Sequence, residues 1–205
     1  MSFDLSVITD FIAAHREWAF LLAFLVSFAE SFAFVSLVVP GTAILMACGA
    51  LVPSGTLTLW PLIAGAIPGA VLGDGVSYWL GWRYGKAING LWPISRYPGM
   101  VAMGEAFLRR HGTASIAIGR FCGPVRAVVP LAAGIVRMNG TSFWLANIGS
   151  AIVWAPVILA PGALLGWAAD SADTRERWMM AGAVAMAAVV AAVVVLRRRR
   201  AGVSG

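Results

Sequence analysis

Five stretches of this chain are apolar enough to lie in lipid, at residues 18–50, 57–82, 113–136, 142–169 and 178–196. About 20 such residues cross a bilayer as a helix. In lipid every backbone amide and carbonyl must be bonded within the segment or its neighbours, so these stretches dictate helices rather than open sheet. The chain is 60% hydrophobic and 12% charged, whereas a water-soluble domain usually carries about a quarter charged residues. The expected class is an all-α polytopic membrane protein.

Charge between the stretches sets the topology. The segment after the second stretch carries Arg83, Lys86, Arg96, Arg109 and Arg110 against Glu105, and cytoplasmic loops collect such an excess. Arg197, Arg198, Arg199 and Arg200 follow directly on the last apolar run, which reads as a cytoplasmic anchor and not as a nucleic-acid surface. The stretch 170–177 mixes Asp170, Asp173 and Glu176 with Arg175 and Arg177, so it suits the outer face. Both termini are expected in the cytoplasm. The opening residues contain Asp4 and Asp10 where a signal peptide needs a basic region, so the N-terminus is read as retained.

These assignments collide over residues 113–136. The basic segment before them and the link 137–141 after them both belong inside, although the stretch between is long enough to span. A segment that enters and leaves on one face is re-entrant. Gly123 and Pro124 in its middle suit the turn, since proline removes a helix donor and glycine permits a sharp bend. Pro130 is assigned to the same broken region. The first stretch is too long for one span and has Pro40 and Gly41 within it, so a second hairpin over residues 31–52 is expected to approach from the opposite face. The fold expected is four full transmembrane helices plus two opposed re-entrant hairpins, an arrangement like that of inverted-repeat transporters. Residues 1–17 read as an interfacial amphipathic segment, 18–169 as the membrane domain, 170–196 as a final transmembrane helix and 197–205 as a basic tail.

Four ionisable residues lie within the apolar stretches: Glu30, Asp74, Arg120 and Arg126. A charge at bilayer depth costs about 2.5–3.5 kcal/mol on insertion scales and is normally paired inside the protein. One reading makes them structural ion pairs joining the two halves. The other makes Arg120 and Arg126 a site for an anionic headgroup, because a guanidinium fork donates two parallel bonds to phosphate and stays charged when desolvated; free amides at the Gly123–Pro124 turn would add to it. Glu30 and Asp74 then become proton-coupling acids, each changing protonation as an arginine exchanges partners. The tryptophans, Trp154 among them, cluster near span ends as an aromatic belt, and Gly65, Gly69, Gly73, Gly81 and Gly85 read as packing notches.

Catalysis is not expected. A membrane phosphatase wants a histidine nucleophile in the site, and His15 and His111 fall outside the charged set; no G-x-S-x-G is present. Two cysteines, Cys48 and Cys122, far apart in apolar sequence, read as buried small residues, and no metal or other cofactor is expected.

The segments AESFAFVSLVVPG, GAVLGDGVSYWLGWRYG and GRFCGPVRAVVPLAAGIVRMNGTSFWLANIGSAIVWA resemble the DedA family, also described as the VTT or SNARE-associated Golgi protein domain, over residues 29–166. The resemblance implies a multi-pass bacterial inner-membrane protein with two opposed hairpins. It further implies that Glu30, Asp74, Arg120 and Arg126 match the family's essential acids and arginines. The implied activity is transport of a phosphate-bearing lipid, undecaprenyl phosphate or a phospholipid, linked to the proton motive force and envelope homeostasis. Thr42 stands where many members carry an acidic or polar residue, so a third acid is not implied. The alternatives are a proton-coupled ion or small-solute transporter and a membrane scaffold with structural ion pairs. The expected partners are membrane lipids and protons, with no nucleic acid; a homo-oligomer is compatible with the sequence.

Overall fold

The computed structural model describes residues 18–36, 41–90, 95 and 99–171. Every regular element within them is helical. In chain order they are α1 (Ala19–Ser31), α2 (Gly41–Ala50), α3 (Leu59–Tyr84), a 3-10 turn (Gly85–Gly90), α4 (Gly99–His111), α5 (Ala114–Arg120), α6 (Gly123–Ile135) and α7 (Gly140–Ser171). The expected interfacial segment 1–17, Pro40, the last span beyond residue 171 and the basic tail lie outside the described residues.

Two helices, Leu59–Tyr84 and Gly140–Ala168, are long and apolar enough to cross a membrane. At 1.5 Å per residue the 26 residues of α3 reach ~39 Å, beyond the ~30 Å hydrocarbon core. The other apolar helices are shorter: 13 residues in α1, 10 in α2, 7 in α5 and 13 in α6, none above ~20 Å. They make two pairs set from opposite ends of α3.

Glycine contacts fix this arrangement. A Cβ on Gly65, Gly69 or Gly73 would meet the carbonyl oxygens of Phe20, Phe24 and Phe28 at 2.2, 2.3 and 2.6 Å, so α1 runs parallel to α3 with backbones in contact, as small residues permit. Because the match rises in step, α1 starts near the Leu59 end of α3 and stops beside Gly73, midway along it. On the other side, Gly162 and Gly166 meet Met46 O and Ala50 O at 2.0 and 2.1 Å, so α2 runs parallel to α7. Since α7 is antiparallel to α3, with Trp144 against Gly75 and Asn147 against Val71, α2 returns to the Leu59 end. The second pair mirrors this at the Tyr84 end: Gly81 meets Leu131 O at 2.1 Å and Gly134 meets Tyr78 O at 2.0 Å, while Tyr78 Oη donates to Met138 O at 2.6 Å. Gly112 and Thr113 before α5 share a cavity of about 290 Å³ with Val136 and Met138 after α6. The α5–α6 pair therefore begins and ends at one end of α3.

Several expectations need correction. Among the described residues the first hairpin is α1 plus α2, within Ala19–Ala50, where a hairpin beginning only at residue 31 was expected; α1 closes at Ser31 and the chain turns at once, Val35 N and Ser36 N both donating to Phe32 O. The second turn lies at Phe121–Cys122, while Gly123 and Pro124 open α6, because a proline's fixed φ suits a first helical turn. Pro130 stands inside α6 and not at a turn; lacking an N–H, it leaves the Arg126 carbonyl without its i+4 donor. The basic stretch, read as a loop, contains α4, whose Val101, Gly104 and Leu108 are buried against α6 through Val128 and Ala132. Gly65, Gly69, Gly73 and Gly81 are packing notches as read; Gly85, at φ 54° with nothing within 4 Å, serves a turn instead.

Candidate functional site

All four charged residues meet where the two hairpin tips face each other. Glu30 comes from the last turn of α1, Asp74 from the middle of α3, Arg120 from the last residue of α5 and Arg126 from the first turn of α6. Each acid takes one arginine. Arg126 Nη1 donates to Glu30 Oε1 at 2.6 Å across 96 residues of sequence, and Arg120 Nη2 donates to Asp74 Oδ2.

The local sequence makes room for this. Glycines at 73 and 75 let the α1 backbone and the Trp144 ring approach on either side of Asp74, which excludes water from the carboxylate. Gly41, expected only to turn the chain, opens α2 against Glu30: a Cβ there would lie 2.6 Å from Glu30 Oε2. Thr42 follows it and donates from Oγ1 to Glu30 Oε1, so the hydroxyl occupies the place where an added acid would oppose Glu30.

The two arginines are held differently. Arg120 is locked: Nε donates to Ser150 Oγ at 3.0 Å, and Nη2 also reaches Asn147 Oδ1 and, at 3.4 Å, Asn147 O. Asn147 is itself tied to α3, Nδ2 donating to Val71 O at 3.0 Å. Beyond its bond to Glu30, the hydrogen bonds of Arg126 among the described residues are two long ones, Nη1 to Thr42 Oγ1 at 3.5 Å and Nη2 to Ser31 Oγ at 3.4 Å. Its side chain is 12% exposed against 2% for Arg120. Both guanidinium groups lie over one ring, with Cζ of Arg120 at 5.9 Å and of Arg126 at 5.0 Å from Trp154. Two charged atoms are buried without a partner in the described structure, Glu30 Oε2 and Arg120 Nη1.

Trp154 is thus no belt residue, unlike the exposed Trp60, Trp79, Trp82, Trp144 and Trp167; it is buried. Asn147 and Ser150 were not singled out in the sequence and Trp154 was read as a belt residue, yet the three stand at i, i+3 and i+7 of α7, one helical face. Ser31 and Ser77 were missed likewise; Ser77 Oγ donates to Gly73 O at 2.9 Å and accepts from Ala33 N at 3.0 Å, pinning the first turn after α1. His111 lies apart from the site at the end of α4, its Nδ1 at 3.1 Å from Phe107 O. Among the described residues no cluster of His, Cys, Asp or Glu is arranged to hold a metal.

Two long apolar helices, the shorter apolar helices paired beside them and buried charges at their junction are those of a helical membrane protein. The VTT domain family matches residues 39–164, and the chain belongs to that family, the DedA family. It is 34% identical over 165 residues to the inner membrane protein YabI of Escherichia coli (strain K12), covering 80% of this chain and 65% of that protein. It is 37% identical over 136 residues to the uncharacterized membrane protein slr0232 of Synechocystis, covering 62% of this chain and 60% of the relative. Protein DedA of Escherichia coli (strain K12) is 26% identical over 163 residues, 78% of this chain and 74% of its own. The chain thus spans less than two thirds of the length of YabI. No solved structure matches it.

Proposed function

We propose that this protein is a transporter of a phosphate-bearing lipid in a bacterial inner membrane, with Arg120 and Arg126 as the headgroup site. The observation that carries the reading is a pair of guanidinium groups held over one tryptophan ring where two broken helices meet. Broken helices at mid-depth are where membrane transporters place their substrates, and guanidinium forks fit phosphate. The lipid's phosphate competes with a carboxylate for a guanidinium, and the released acid takes up a proton, which couples transport to the proton gradient. Undecaprenyl phosphate and ordinary phospholipids share the chemistry required. The inner-membrane location rests on the printed name of YabI. In this reading each short pair is re-entrant, with the Tyr84 end of α3 cytoplasmic because the basic segment follows it, and the residues do no covalent chemistry.

One observation favours the scaffold alternative: both arginines are already paired, as structural bridges are. Transport in proteoliposomes separates the two. Purified protein is reconstituted with undecaprenyl phosphate or with a phospholipid carrying a reporter headgroup, and transfer between leaflets is followed for wild type and Arg126→Lys. Transport by wild type, lost when the planar fork becomes a point charge in a protein that still folds, is the expected result. Folded wild type that moves neither lipid under a proton gradient sinks the lipid reading and leaves solute transport or a scaffold.

A further inference from the structure

We propose that the two arginines divide the work: Arg120 is a fixed donor, and Arg126 is the clamp that changes partner, handed from Glu30 to the ligand across the Trp154 ring. The inference rests on the phosphate-lipid reading and assigns its moving part. Arg120 is bonded through two of its three nitrogens to Asp74, Asn147 and Ser150, on two different helices, so displacing it means undoing contacts on α3 and α7 together. Its third nitrogen, Nη1, is buried and unpartnered, an N–H donor pre-set for an acceptor that enters. Arg126 has one short bond, to a carboxylate that engages it through a single oxygen while the second, Oε2, has no partner. Its remaining contacts lie at 3.4 and 3.5 Å, near the limit of a hydrogen bond.

An anion entering between the hairpin tips therefore displaces one carboxylate bond from Arg126, where at Arg120 it would have to break those to Asp74, Asn147 and Ser150, and it gains the Arg120 Nη1 donor. The Trp154 face already lies 5.0 Å from the Arg126 Cζ in the paired state, so the cation has a second support when it leaves the acid. Thr42, already donating to Glu30 Oε1, keeps a bond on the carboxylate once the arginine has gone.

The division makes Glu30 a competitor for the site, and its removal gives the discriminating result. Binding of a polyprenyl phosphate to the detergent-solubilised protein is measured together with thermal unfolding for wild type, Glu30→Gln, Arg126→Lys, Arg120→Lys and Ser150→Ala. Glu30→Gln is expected to tighten binding several-fold, because Arg126 is freed, while slowing transfer in proteoliposomes. Arg126→Lys weakens binding at least tenfold with a small change in Tm. Ser150→Ala and Arg120→Lys lower Tm, with Ser150→Ala affecting binding far less than Arg126→Lys. Weaker binding in Glu30→Gln, or equal losses of binding and Tm at both arginines, overturns the division while leaving the phosphate site standing. Wild type that binds no polyprenyl phosphate and no phospholipid headgroup overturns the headgroup site itself, and the division with it.

Discussion

Trp154 shows how one side chain sets what two charges can do. Two guanidinium groups gathered at one ring need compensating attraction, which each takes from its own carboxylate and both take from the indole face, the strongest of the side-chain rings for a cation at about 0.5–2 kcal/mol per contact. Trp154→Leu keeps an apolar filling but removes the quadrupole, so both arginines lose their common support. The expected outcome is a lowered Tm and loss of lipid transfer in proteoliposomes, with Trp154→Phe retaining part of each; full transfer by the Leu variant would mean the ring is only packing. The four ionisable residues were legible from sequence because a charge in an apolar run is costly wherever it stands. Trp154 was not, because a tryptophan near a span end is ordinary and only its helical spacing from Asn147 and Ser150 marks it. Which arginine meets which acid depends on the tips coming together, and no local pattern encodes that.

Between helices, the closest approaches are made by glycine. At Gly134 a Cβ would stand 2.0 Å from Tyr78 O and 2.6 Å from Trp82 N, both backbone atoms of α3 that cannot rotate away. Gly134→Ala must push α6 off α3, and overpacking of this kind costs about 1–3 kcal/mol. Arg126 rides on α6, so the shift also draws its guanidinium from Glu30. Gly149, in α7, has nothing within 4 Å of its would-be Cβ. Thermal unfolding should therefore show a clear fall in Tm for Gly134→Ala and almost none for Gly149→Ala; equal effects would mean that the α3–α6 contact is not as close as described. The long helices α3 and α7 could be read from uninterrupted apolar sequence. The end of α1 could not, since residues 31–36 contain neither glycine nor proline, and the turn is held instead by Ser77, 44 residues on, accepting from Ala33 N. Helix α4 was hidden by its own charge: counting arginines identifies a cytoplasmic segment without revealing that Val101, Gly104 and Leu108 form a buried stripe.

At the scale of the whole molecule, one ion pair joins helices that come from opposite ends of α3, and the other ties the second hairpin to α3 itself. Glu30–Arg126 links α1 to α6 and Asp74–Arg120 links α3 to α5. This geometry makes a topological prediction independent of any substrate. Ser54 lies in the exposed turn between α2 and α3, whereas Thr113 precedes α5 and Asn139 precedes α7, both exposed. With Cys48 and Cys122 replaced by alanine, single cysteines at positions 54, 113 and 139 can be labelled with a membrane-impermeant thiol reagent in intact cells and in inverted vesicles. If α5 and α6 form a hairpin that enters and leaves on one face, Thr113→Cys and Asn139→Cys label from the same side and Ser54→Cys from the other. Labelling of Thr113→Cys and Asn139→Cys from opposite sides would mean that the pair crosses the bilayer. Length alone would allow such a crossing, since α5 and α6 together hold 20 residues, 7 and 13, about what a span needs; the cavity that Thr113 shares with Met138 disfavours it, because it brings the chain back to where it began.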